Sequence, residues 1–195
     1  MGRRSAFYCW RPPSTVPQPP PHPARLSWES LESQIRFEAI RSAGPGGQHR
    51  NKVSTGVRLT HLPTGMQGMA TERRSQKENK FEALFRLRLR LALDYRNVPR
   101  DEDLGPPENY EPSAEWCTRL FAGRIRVNPS HADFPSLLAE VLDRLAADRD
   151  DVERTAAALR VTKSQIVKFL ALQPAALHAL NERRGARGLR PFHAD

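Results

Sequence analysis

Positions 44–47, Gly44-Pro45-Gly46-Gly47, hold three glycines and a proline, and neither a helix nor a β-ladder runs through such a stretch. The chain must break into separate elements on either side. Before it, residues 34–40 alternate, with Ile35, Phe37 and Ala39 on one side and Arg36, Glu38 and Ile40 on the other, the pattern of a strand. After it, 51–55 is short and polar, enough for one helical turn. Residues 56–61 alternate again, with Val57 and Leu59 opposed to Arg58 and Thr60. Leu62-Pro63-Thr64-Gly65 supplies a tight reversal, and 66–70 returns as a second, glycine-weakened strand. The expectation is one strand entering the loop and a hairpin with one buried face leaving it.

The loop offers placement more than acid–base power. Gly46 and Gly47 can adopt φ > 0 and bring backbone N–H groups close to another molecule. Gln48 adds a neutral amide, and Arg41, His49, Arg50 and Lys52 surround it with donors. A Gly-Gly pair by itself most often marks a surface turn. No serine–histidine–carboxylate set and no paired carboxylates accompany this one. An oriented N–H facing a developing oxyanion is worth about 2.7–4 kcal/mol, and a positioned water contributes further. Such a loop works best inside a site that another molecule builds.

Charge narrows the choice of that molecule. Among 195 residues, 31 Lys and Arg stand against 22 Asp and Glu, a net charge of +9 that favours polyanions. No apolar run approaches the roughly 18 residues of a membrane span, so nucleic acid is the expected partner and no membrane is. Cys9 and Cys117 lie far apart, which fits a reduced cytoplasm, and the six histidines never pair at ligand spacing, so no metal site and no cofactor are expected.

The remainder divides the chain. Residues 1–26 read as a disordered tail, with prolines at 12, 13, 17, 19, 20, 21 and 23. Its basic, acid-free composition also admits a transit peptide, though so many prolines spoil an amphipathic helix. Ser27 offers an N-cap for a short helix. Residues 71–96 pose a conflict, because Arg86-Leu87-Arg88-Leu89-Arg90-Leu91 alternates as a strand does. No β-branched residue occurs from 77 to 96, and Ser75 with Glu78 forms a capping box. A helix is expected, docking on the hairpin through Phe81, Leu84, Leu87 and Leu91. Residues 97–133 read as a linker containing an apolar segment from Trp116 to Val127. Residues 134–195 read as helical, with a candidate helix-turn-helix over 151–172 in which Arg160 occupies the usual glycine position. The fold class expected is α+β: a small antiparallel sheet on one helix with an exposed loop, then a small helical region. Residues 27–96 are the expected catalytic domain.

The string Arg41-Ser42-Ala43-Gly44-Pro45-Gly46-Gly47-Gln48-His49-Arg50-Asn51-Lys52 closely resembles the GGQ loop of class-I peptide chain release factors and their short ribosome-rescue relatives. The likeness extends over about 34–95, through the hairpin at 56–65 and the basic start at 72–80. It implies that Gly46, Gly47 and Gln48 are catalytic in hydrolysing the peptidyl-tRNA ester in the peptidyl transferase centre of the large ribosomal subunit. It further implies rRNA contacts by Arg41, Ser42, His49, Arg50, Asn51, Lys52, Arg73, Arg74, Ser75, Gln76, Lys77 and Lys80. Gln48 becomes a candidate for N-methylation by a glutamine methyltransferase, and the protein is expected to act as a monomer.

Full release factors flank this domain with codon-reading segments, and no tripeptide here resembles a codon-reading motif, so codon-independent release is expected. Rescue relatives add a basic tail that probes the empty mRNA channel. Here the corresponding part has mixed charge, and the Arg183–Arg190 end would be at most a reduced version of such a tail. The competing class is a binding protein, an rRNA- or DNA-binding regulator or assembly factor working through the helix-turn-helix.

Overall fold

The computed structural model describes residues 21–41, 55–98 and 106–194. A three-stranded antiparallel sheet in the order β1–β2–β3 comprises β1 (Ile35–Ile40), β2 (Gly56–His61) and β3 (Gln67–Ala70). The alternation sets the register: Phe37 lies opposite Leu59, Ala39 opposite Val57, and Leu59 opposite Gly68, so one face is apolar. Ahead of the sheet, α1 (Trp28–Glu32) begins at Ser27, whose side chain accepts from the Ser30 N–H.

The conflict over the leucine–arginine alternation resolves as the helix α2 (Gln76–Asp94), capped by Ser75. It lies across β2 and β3. A Cβ on Gly68 would come within 2.2 Å of the Ala83 carbonyl and 2.5 Å of the Leu87 nitrogen. The residue that weakens β3 as a strand therefore lets a helix backbone rest directly on it. This close approach turns α2 so that Asn79, Ala83, Leu87 and Leu91 face inward, while Phe81 is 64% exposed. Phe81 thus leaves the expected docking face, and the small Ala83 takes the contact. Leu89 and Leu93 pack toward the remaining helices, with α4 (Phe134–Ala147) laid along α2.

The described part of the proline-rich segment read as a tail is built into the fold. Pro23–Arg25 forms a 3-10 turn that buries Ala24 and docks against α2 and α4. His22 holds it there, its Nδ1 accepting from the Ala24 N–H at 3.0 Å and its Nε2 donating to the Tyr95 carbonyl at 3.3 Å. The span read as linker is also built. It contains α3 (Ala114–Arg119) and a hairpin of β4 (Leu120–Phe121) and β5 (Arg124–Ile125), turned by Ala122 and Gly123, both with φ > 0. Trp116 is fully buried, stacks edge-on to Phe169 at 5.6 Å and donates Nε1–H to the Leu159 carbonyl at 2.9 Å. It belongs to the core of the C-terminal helices, because its ring and its N–H both find partners there.

Those helices are α4, α5 (Val152–Ala158), α6 (Lys163–Ala171) and α7 (Pro174–Ala186). At the α5–α6 corner Arg160 has φ = 59°, and the Val161 and Arg160 N–H groups donate to the Ala156 and Ala157 carbonyls. This is a Schellman stop, in which Arg160 takes the left-handed position usually given to glycine. The mixed charge of this region is largely internal. Asp148, buried, receives Arg144 in two bonds (2.8 and 2.6 Å), together with Arg154 and Thr155. Asp150 binds Arg183 and Arg187. The basic end read as a reduced channel tail is therefore tied to the helical body.

One buried carboxylate links the two halves. Glu140 of α4 accepts from the Ser113 N–H at 2.7 Å, from the Ser113 hydroxyl and from the Tyr110 hydroxyl at 3.2 Å, with Arg25 at 3.9 Å. One turn on, Asp143 accepts from the Asn97 N–H at 3.0 Å.

Two groups at this junction titrate in opposite senses. Burial, reinforced by Arg96 and Arg25, lowers the His22 pKa to about 4, and burial raises that of Asp143 to about 7. Between pH 4 and 6.5 the unfolded chain binds a proton at His22 that the folded protein refuses, so this term raises stability with pH. Over the same range the folded protein holds a proton on Asp143 that the unfolded chain has lost, so that term lowers it. Thermal denaturation from pH 4 to 7 is expected to show stability falling with pH in His22→Gln relative to wild type. Asp143→Asn should show the reverse tilt. Parallel curves for all three proteins would refute the assignment.

Candidate functional site

The glycine loop is the connection between β1 and β2. Its catalytic candidates Gly46, Gly47 and Gln48, with Ser42, His49, Arg50, Asn51 and Lys52, lie outside the described residues. The described residues form the base from which the loop springs. Ile40 and Gly56 make the last pair of the β1–β2 ladder. A Cβ on Gly56 would sit 2.8 Å from both the Ile40 carbonyl oxygen and Cγ1, and 2.9 Å from Thr71 Cγ2, so the neck closes only on a glycine. Arg41 comes immediately after β1 and is exposed.

A second tie comes from a residue that the sequence pattern leaves inconspicuous. Asn79, fully buried, donates Nδ2–H to the Thr55 carbonyl at 2.8 Å and to the Arg73 carbonyl at 2.9 Å, and its Oδ1 accepts from the Arg73 N–H at 3.0 Å. It joins the outgoing end of the loop to the turn before α2. The signal available in the sequence was its position at i−4 from Ala83 on the inward stripe of α2, where a polar side chain must find internal partners.

The basic residues at the start of α2 are gathered at this base. Arg73, Arg74, Ser75, Gln76 and Lys77 are exposed, and Lys80 is half-buried. The nearby acid, Glu72, is engaged elsewhere. Arg86 donates to it at 2.8 Å and holds its carboxyl down to about 2, while also donating to the Met69 carbonyl. Lys80 approaches Glu32 at 3.7 Å and stands 4.4 Å over the Trp28 ring. Among the described residues no carboxylate pairs with Arg73, Arg74 or Lys77. That charge, with the capped N-terminus of α2, makes an electropositive edge beside the loop base. No group of three or more metal-ligating side chains is found among the described residues, and no helix described is long and apolar enough to cross a membrane.

Comparison with known proteins accords with this geometry. Residues 26–114 match the RF-1 domain. Peptide chain release factor 1 of Lactiplantibacillus plantarum is 42% identical over 71 residues, covering 36% of this chain and 20% of the relative. That of Dictyoglomus turgidum is 38% identical over 82 residues, 42% of this chain and 22% of the relative. The release factor 1 of Zymomonas mobilis is 33% identical over 138 residues, 64% of this chain and 38% of the relative. Over this segment the chain is similar to the class-I release factor domain family. It spans only about a fifth to two fifths of the length of these relatives. No solved structure matches it significantly.

Asn79→Ala would strand the Thr55 carbonyl and both Arg73 backbone groups. It is expected to lower unfolding free energy by on the order of 2–4 kcal/mol, read by urea denaturation. A loss below about 1 kcal/mol would mean that water replaces the amide and that the tie is dispensable.

Proposed function

We propose that this protein hydrolyses the peptidyl-tRNA ester in the peptidyl transferase centre of the large ribosomal subunit, without reading a codon. The observation that carries the reading is Gly46-Gly47-Gln48 within an RF-1 domain, on a neck braced by Gly56 and Asn79 beside a basic edge whose Arg73, Arg74 and Lys77 have no carboxylate partner among the described residues. In this reading Gly46 and Gly47 hold the backbone where only glycine is tolerated, and the Gln48 N–H donates to the developing negative charge. The Gln48 side chain admits water and excludes bulkier nucleophiles. Water adds to the ester carbonyl, the bond to the tRNA ribose oxygen breaks, and the proton ends on that oxygen. Arg41, Ser42, His49, Arg50, Asn51 and Lys52 border the rRNA, and Arg73, Arg74, Ser75, Gln76, Lys77 and Lys80 anchor the domain on its phosphates.

Codon independence is read from the sequence, in which no tripeptide resembles a codon-reading motif. The reaction takes no cofactor, Gln48 is the site of N-methylation, and the protein works as a monomer in the cytoplasm. A second reading, nucleic-acid recognition through α5 and α6, is favoured by the tight corner at Arg160. Sequence-selective binding that survives loss of the loop chemistry would support it.

Peptide release from ribosomes carrying labelled peptidyl-tRNA tests the first reading. Wild type is expected to act on truncated message and to be indifferent to stop or sense codons. Gly47→Ala, whose Cβ disfavours the backbone that aims the Gln48 N–H, should lower the rate by about 100-fold or more, as when an oriented donor is lost. Release confined to stop codons would overturn codon independence, and an unchanged rate in the variant would overturn the loop assignment.

A further inference from the structure

The half of the sheet that α2 leaves bare forms a cleft. Because α2 is held over β2 and β3 by its contact with Gly68, no helix among the described residues lies across the apolar face of β1, and Phe37 is 46% exposed. Phe37 and its cross-strand neighbour Leu59 lie along an open cleft of about 440 Å³, within the size range of small-ligand sites. One wall is Trp28 of α1, its ring covered by the Lys80 ammonium at 4.4 Å, and the other is the first turn of α2 with Lys77. The cleft runs beside the loop base, because Phe37 is three residues, about 10 Å of strand, before the Ile40–Gly56 pair.

We propose that this cleft takes one unstacked nucleotide of single-stranded RNA, its base on Phe37 and its phosphate at Lys77. An aromatic platform beside unpaired positive charge is the arrangement that binds single strands without reading sequence. Charge complementarity selects RNA over a peptide. Lys77 has no carboxylate partner among the described residues, and Arg73 and Arg74 extend the same positive edge. Glu32, at the far end with Lys80, repels phosphate there and accepts from an exocyclic amine, which sets the base inward and the phosphate toward α2. The inference rests on the ribosomal reading for the source of the RNA, while the chemistry of the cleft stands apart from it.

The test titrates the full chain against isolated large ribosomal subunits and, separately, against a short single-stranded adenine-rich RNA. The variants are Phe37→Ala, Phe37→Trp and Lys77→Ala, each checked for fold by circular dichroism. Phe37→Ala is expected to weaken both interactions by about tenfold, and Phe37→Trp, which keeps a stacking surface, should stay near wild type. Lys77→Ala should reduce the salt dependence by about one phosphate contact. Ultraviolet crosslinking of wild type on the subunits should attach RNA at β1. Unchanged affinity in Phe37→Ala, or a crosslink from β1 to a ribosomal protein, would overturn the cleft assignment. If Gly47→Ala abolishes release while Phe37→Ala binds normally, the cleft assignment fails and the catalytic reading stands. If the RNA binds in a Phe37-dependent way and the subunits do not bind, the catalytic reading fails and the cleft stands.

Discussion

The contact of the α2 backbone with Gly68 governs the placement of nearly everything else. With no Cβ in the way, the helix sinks onto β3, and its inward stripe becomes Asn79, Ala83, Leu87 and Leu91. That rotation puts the Asn79 amide within reach of Thr55 and Arg73, so the same contact that seats the helix also ties down the loop base. It leaves β1 uncovered, which creates the cleft at Phe37. Elsewhere along α2, α4 packs against the helix, and Leu89 and Leu93 are half-buried against the core.

The release-factor domain and the helical module are joined by one continuous apolar core and by a buried polar junction. Glu140 is the centre of that junction, receiving Tyr110 and Ser113 from the segment before α3 and facing Arg25 from the 3-10 turn. A carboxylate this deep is tolerated because donors surround it; an uncompensated one would cost several kcal/mol. Asp148 and Asp150 repeat the solution at the α4–α5 corner, where arginines from α4, α5 and the α7 end converge. The mixed charge of the C-terminal region is thus partly an internal ion network.

Much of the fold was legible because local patterns were strong. Alternation around 35–40 and 56–61, the Pro-Thr-Gly reversal and the Ser75 cap correspond to β1, β2, the β2–β3 hairpin and the start of α2. Composition correctly outweighed the period-two run of leucines and arginines. The errors share one cause. The sequence pattern puts Phe81 inside and Trp116 in a linker, because hydrophobicity says that a side chain prefers burial without saying which neighbour provides it. Proline content argued against order at 21–26, yet a 3-10 turn accepts proline and His22 pins it. Asn79 went unnoticed because its partners are backbone groups 24 and 6 residues away.

The sequence by itself determined most of the elements and the likeness to release factors, since each depends on residues close together in the chain: glycines that permit a turn, alternation that defines a face, caps that start a helix. Only the tertiary structure decided how the loop base is braced, which arginines and lysines stand unpaired beside it, and where the sheet is left open. Those properties arise from close approach between distant segments, and a missing Cβ at Gly68 or Gly56 acquires meaning only when another backbone arrives against it.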